Sequence, residues 1–304
     1  MRRVAHVSDL HVLSPFGAEW RRAVFNKRIT GYANVLMRRG RVFRPHYLEK
    51  VLTHAAKVAD HVVVTGDITN LALESEYAEA RRLLERVAET TEVTVAPGNH
   101  DIYLPEVGRE RHFEEHFGGF LQSDLPELAV RVPAGHFPCV KLRGPVALIA
   151  LSSAVPRPPF VASGIVGRSQ REALRRTLEH PEVKRRTPWI LVHHDPLDGP
   201  MSLDQLMSGF VDAQALRSEL AELERGAVLF GHLHIRSQRR FHTPAGAIEV
   251  LGASGGSLDH ADDRIRAGVN LYHLAEDGSL ERAEAWVIHA ETLELEQKAL
   301  GGAP

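Results

Sequence analysis

Short runs of β-branched residues alternate along the chain with segments of helical period. The runs are Val4–Val7, Val62–Thr65, Val93–Ala96, Val146–Leu151, Trp189–Val192 and Val228–Phe230. Between them, Tyr47–Ala59, Glu74–Glu89, Ser169–Glu179 and Ala213–Arg225 carry apolar positions at helical spacing. That alternation predicts an α/β architecture with helices on the faces of a sheet. From about residue 236 the pattern changes. Arg236–Phe241, Ile248–Leu251, Asn270–Ala275 and Glu281–Ile288 read as strands with no helix between them, so this last part is expected to be antiparallel. Two packed sheets are therefore expected rather than one open sheet. No repeat or linker divides the 304 residues, and a single domain is the expectation.

Composition narrows the class. With 43% hydrophobic and 25% charged residues the chain is globular, and 37 Lys and Arg against 39 Asp and Glu give a formal charge of −2. A globally basic nucleic-acid binder is excluded, and no nucleic acid is expected as a partner. The one cysteine, Cys139, leaves no intrachain disulfide and no thiolate zinc site, which suits a reducing compartment. Met1-Arg2-Arg3 runs straight into Val4-Ala5-His6-Val7-Ser8-Asp9, too few apolar residues for a signal-peptide core, and the apolar run Val146–Leu151 is far too short to span a bilayer. A cytoplasmic protein, touching membranes only peripherally, is the expectation.

Eighteen histidines are more than surface decoration requires, and several follow the strands. Asp9-Leu10-His11 follows the first run, Gly66-Asp67 the second, Gly98-Asn99-His100-Asp101 the third, His193-His194 the fifth and Gly231-His232-Leu233-His234 the sixth. The carboxyl ends of strands in an α/β sheet open into one crevice, where these loops can converge. An i, i+2 spacing in extended chain predicts that Asp9 and His11, and likewise His232 and His234, point to one side, as shared metal ligation requires. The candidate ligands are Asp9, His11, Asp67, Asn99, His193, His232 and His234. They offer oxygen and imidazole without sulfur, which suits manganese, iron or zinc in a reactive site rather than a structural one. Seven ligands exceed one tetrahedral ion and match two divalent or mixed-valent ions that share a carboxylate. Such a pair clamps a phosphate and generates hydroxide at neutral pH. The glycines before Asp67, Asn99 and His232 are expected to let the backbone turn sharply. The remaining histidines read as surface or satisfied core residues.

Asp-x-His, Gly-Asp, Gly-Asn-His-Asp, His-His and Gly-His-x-His, in that order over residues 4 to about 255, resemble the calcineurin-like binuclear metallophosphoesterases, in particular their phosphodiesterase-like branch. The resemblance implies a four-layer α/β-β/α sandwich of two mixed sheets flanked by helices, and phosphoester hydrolysis. It implies one metal held by Asp9, His11, Asp67 and His234 and another by Asp67, Asn99, His193 and His232, with Asp67 bridging. It further implies that His100 faces substrate as general acid and that Asp101 orients it. His194 is left with two readings, contact with the phosphate or packing behind His193. One departure stands out: the branch usually has prolines directly after the histidine pair, where this chain has Asp195-Pro196.

Trp20 to Arg44 holds eight Lys and Arg and no acid, with Trp20, Val24, Phe25, Ile29, Tyr32, Leu36 and Met37 near helical spacing. This insertion, about 16–45, reads as a basic amphipathic helix or helix pair, either packed on the sandwich or capping the substrate and resting on an anionic membrane. The leading functional expectation is hydrolysis of a small phosphodiester, a cyclic nucleotide or a glycerophosphodiester, by a bridging hydroxide. The runner-up resembles the peripheral UDP-2,3-diacylglucosamine pyrophosphohydrolases of lipid A synthesis. The third reading is a non-catalytic scaffold that retains its metal site.

Overall fold

The computed structural model describes residues 1–13, 42–199 and 202–300, so most of the basic insertion read at 16–45 lies outside the described residues. One six-stranded sheet has the order β14-β13-β12-β1-β2-β3, formed by Leu295–Ala299, Leu280–Ile288, Gly268–Leu274, Arg3–Val7, His61–Val64 and Glu92–Val95. The other has the order β10-β11-β9-β8-β7-β6, formed by Ser237–His242, Ala247–Gly252, Arg225–Phe230, Thr187–Leu191, Val146–Ala150 and Cys139–Arg143. A small hairpin, β4 (Val130–Val132) and β5 (Gly135–Phe137), stands apart.

Alternation of side chains explains how the second sheet is covered on both faces. Leu148, Ala150, Trp189, Leu191, Ala227 and Leu229 join Val4, Leu271 and Tyr272 in one core between the sheets. The residues one position along, Ala147, Ile149, Ile190, Val192, Val228 and Phe230, face a second core. Helices α5 (Arg168–Glu179) and α8 (Ala213–Glu219) contribute Leu174 and Leu216 to that outer layer. On the first sheet, α1 (Pro45–Val58) buries Tyr47, Leu48, Val51, Leu52 and Ala55, and α2 (Glu74–Ala88) buries Tyr77, Ala80, Leu83, Leu84 and Val87. Each set recurs at helical spacing on one face. The result is the four-layer arrangement of two mixed sheets flanked by helices.

Among the described residues there are also the shorter α-helices α3 (Pro105–Arg109), α4 (His112–Phe117), α6 (Pro181–Lys184) and α7 (Leu203–Ser208). The antiparallel expectation needs one correction. β11 runs parallel to β9, and the crossover between them is the edge strand β10 instead of a helix. The helix expected over Ala213–Arg225 also ends early, because Arg225 already starts β9. No helix among the described residues is long and apolar enough to cross a membrane.

Candidate metal centre

Strands β1, β2 and β3 run parallel in one sheet, and β8 and β9 run parallel in the other. Their carboxyl ends carry the five polar clusters, and loop-to-loop hydrogen bonds lock these together. Asp9 N donates to Gly66 O at 2.9 Å, His11 N to Asp67 O at 3.0 Å, and Gly231 N to His193 O at 3.0 Å. Ser8 pairs with Gly255, and Gly256 N donates to Ser8 O, so the strand ends of both sheets meet at one place.

Two groups of ligand atoms result: Asp9, His11 and His234, and Asp67, His193 and His232. Each carboxylate has one oxygen tied to backbone and the other turned to histidines. Asp9 Oδ2 accepts from His232 N at 3.1 Å, while Oδ1 faces His234 Nε2 at 3.1 Å. Asp67 Oδ1 accepts from His100 N at 2.8 Å, while Oδ2 lies 3.3 Å from His193 Nε2 and 4.0 Å from His11 Nε2. Asp67 Oδ2 therefore reaches a histidine of each group. Asn99 Oδ1 is buried and has no hydrogen-bond partner, a costly state for a carbonyl oxygen that a cation would relieve.

Extended chain is not what turns these side chains inward, contrary to the i, i+2 expectation. Asp9, His11, Asp67, His232 and His234 have φ of 50°, 44°, 50°, 64° and 56°, so these residues are left-handed, not extended. Non-glycine residues held there cost about 1 kcal/mol or more each, strain that clusters at functional sites. Asp9 and His11 do fall in one group, whereas His232 and His234 divide between the two. The glycines act mainly by leaving room. Gly66 has a φ of 97°, but at Gly231 a Cβ would sit 1.8 Å from Ser8 Oγ and 2.5 Å from Asp9 Oδ2.

Backbone carbonyls fix the ring tautomers, because a carbonyl can only accept. His193 Nδ1 donates to Thr65 O at 2.7 Å, leaving Nε2 for ligation, and His232 Nε2 donates to Ser208 O at 2.7 Å, leaving Nδ1. Phe43 packs on the His11 ring at 4.7 Å between centroids. None of these partners was legible in the sequence, since every residue carries a carbonyl.

Electrostatics match a cation site. Burial opposes charge on Asp67, yet His193 and His100 hold its carboxyl well below the usual range. Burial likewise opposes charge on Asp9, and His234 more than offsets it. For His193 burial is outweighed by the Asp67 carboxylate, which raises the ring to about 9. Burial, followed by repulsion from His193, pushes His232 down to about 4. Asp101 is pushed up to about 7, first by burial and then by Asp67. Three buried acids this close call for positive charge among them.

The role expected for Asp101 is corrected by its contacts. Its carboxylate accepts from Thr69 N, Thr69 Oγ1, Ile68 N and Gly98 N at 2.8–3.2 Å, tying the loops after β2 and β3 together. The ring of His100 is oriented instead by Asn70, whose carbonyl lies 2.5 Å from Nδ1.

A family model described as calcineurin-like phosphoesterase matches residues 2–236. The chain belongs to the calcineurin-like phosphoesterase family. Its fold is shared with solved relatives of low identity. A dimetal phosphatase from Danio rerio superposes with a TM-score of 0.54 at 15% identity, covering 99% of each chain. A purple acid phosphatase from yellow lupin seeds gives 0.60 at 12% identity, with 97% of this chain covering 52% of that one. No curated protein sequence matches the chain.

His194 and Asp195 of this calcineurin-like phosphoesterase lie outside the ligand groups. His194 is fully buried, with Nδ1 2.7 Å from Ser153 Oγ and Nε2 2.8 Å from Ala162 O. Both ring nitrogens are occupied, which favours packing behind His193 over the phosphate contact. Asp195, at the departure from the phosphodiesterase-like pattern, accepts from Arg239 Nη2 at 2.7 Å and from Leu197 N at 2.9 Å, and so anchors its own loop.

Proposed function

We propose that the protein hydrolyses phosphodiesters with two metal ions, one held by Asp9, His11, Asp67 and His234 and the other by Asp67, Asn99, His193 and His232. The observation that carries this reading is Asp67 Oδ2, set between His193 and His11 while its other oxygen is tied to His100 N. The unpartnered Asn99 Oδ1 supports a cation in the second group. A metal pair held there would supply a nucleophile from water at neutral pH and would neutralise the phosphate oxygens.

The remaining chemistry belongs to the chain. In hydrolysis a P–O bond to water forms, the P–O bond to the leaving alcohol breaks, and the departing oxygen needs a proton. With Nδ1–H directed to Asn70 O, His100 offers that proton from Nε2. Its backbone N–H meanwhile anchors Asp67, so the acid and the shared ligand are positioned by one residue. Manganese or iron suits this donor set, and zinc also fits. Retention of every ligand named for either ion counts against a scaffold role.

The test is manganese-dependent hydrolysis of bis-p-nitrophenyl phosphate beside p-nitrophenyl phosphate. Diester turnover that disappears in Asp67→Ala is the expected result. Preference for the monoester, or turnover that survives Asp67→Ala, would overturn the reading.

A further inference from the structure

Among the described residues, six large hydrophobic side chains stand exposed: Phe160, Leu203, Leu206, Met207, Leu233 and Ile235. They are not scattered. Leu233 separates the two ligands His232 and His234, and Ile235 follows directly. α7 carries Leu203, Leu206 and Met207, and its last residue, Ser208, supplies the carbonyl that holds His232 Nε2 at 2.7 Å. Phe160 lies two residues before Ala162, whose N–H donates to Met207 O at 2.7 Å and whose carbonyl holds His194. Three segments are thus stitched to each other and to the histidines of the metal centre.

The same segments are poor in charge. Residues 154–166, 202–210 and 231–235 contain only Arg157 and Asp204 among Asp, Glu, Lys and Arg, against one residue in four across the chain. Phe160 is 78% exposed and has a φ of 66°, an unfavourable conformation for an aromatic residue in the absence of a compensating role. Exposed apolar side chains gathered on segments that are hydrogen-bonded to one another and to a candidate reactive site point to a binding surface, because exposed apolar clusters on a folded surface are often functional.

We propose that these side chains form a rim that seats the hydrocarbon portion of the substrate, so that the enzyme acts on amphiphilic phosphodiesters bearing an alkyl or acyl chain. The inference rests on the phosphodiesterase reading above. The phosphate lies at the metal centre, and the chain extends over Leu233 toward α7 and Phe160. Removing hydrocarbon from water then adds to affinity with each methylene.

The experiment compares p-nitrophenyl methyl phosphate with p-nitrophenyl octyl phosphate, which share one leaving group, on the manganese-loaded protein below micellar concentration. The octyl ester is expected to show a kcat/KM about tenfold or more above the methyl ester. That ratio should fall at least about threefold in Phe160→Ser and in Leu203→Ser/Leu206→Ser, whose exposed positions leave the core intact. Equal turnover of both esters, or a ratio that the variants do not move, would overturn the rim while leaving the phosphodiesterase reading standing. If neither ester is hydrolysed, that reading fails, and calorimetry with methylphosphonate and octylphosphonate decides the rim. A chain-length gain in affinity that the variants abolish supports it, and flat affinity overturns it. Rim variants that abolish sedimentation with anionic vesicles, or dimerisation, while leaving the ester ratio unmoved would reassign the surface and overturn the proposal.

Discussion

The two oxygens of Asp67 are unequal: Oδ1 accepts from His100 N while Oδ2 faces histidines of both candidate groups, the arrangement expected of a carboxylate that two ions would share. His100 in turn joins structure to chemistry. Its N–H anchors the Asp67 carboxylate, and its ring, oriented by Asn70 O, is the proton donor we propose for the leaving oxygen. Replacing only the ring tests the second role. His100→Asn is expected to lower diester turnover by about a hundredfold or more, as removal of a general acid does. The penalty should be larger for an alkyl leaving group than for p-nitrophenol, which departs without help, and metal content should remain that of the parent. An equal loss for both leaving groups, together with loss of metal, would make His100 merely structural.

At the scale of elements, strands were easier to read than the turns that make them useful. Continuous apolar runs announced β1, β2, β3, β7, β8 and β9, because strands buried on both faces carry little else. The edge strand β14 and the hairpin β4–β5 are partly exposed and carry charges, so their pattern resembles loop. The parallel placement of β11 depends on pairing with β9, and no local property of Ala247–Gly252 encodes that partner. The site followed the same division. Seven ligand candidates were legible because each lies in a compact motif just after a strand. Their left-handed backbone was not, because residue type predicts glycine or asparagine there rather than Asp9, His11, Asp67, His232 and His234. Carbonyl partners such as Thr65, Asn70 and Ser208 leave no trace in side-chain identity, and the expectation that Asp101 orients His100 could not foresee the four donors from neighbouring loops that hold its carboxylate.

For the whole molecule, the two sheets share one core, and polar groups buried in it make stability depend on pH. His6 sits between Thr65 Oγ1 and the Tyr272 hydroxyl, and His61 beside Thr94 Oγ1. Burial pushes both rings down to about 3, with nearby Asp9 or Glu92 opposing it only in part. A histidine whose folded pKa is depressed stabilises fully above the unfolded value of about 6.5 and loses that contribution as pH falls from there toward 3. At pH 5 each ring then removes about 2 kcal/mol. His61→Gln keeps a polar partner for Thr94 and removes the titration, so its loss of stability between pH 7.5 and pH 5, read from urea unfolding, should be smaller by about that amount. Equal losses in parent and variant would show that His61 titrates normally in the folded protein.

Both sheets deliver their loops to one centre, and we propose that two ions sharing Asp67 occupy it. Metal content after reconstitution with manganese and gel filtration, measured by mass spectrometry, tests it most directly. Two equivalents per chain are expected in the parent and no more than one in Asp67→Ala. One equivalent in the parent, or two retained without the Asp67 carboxylate, would contradict it.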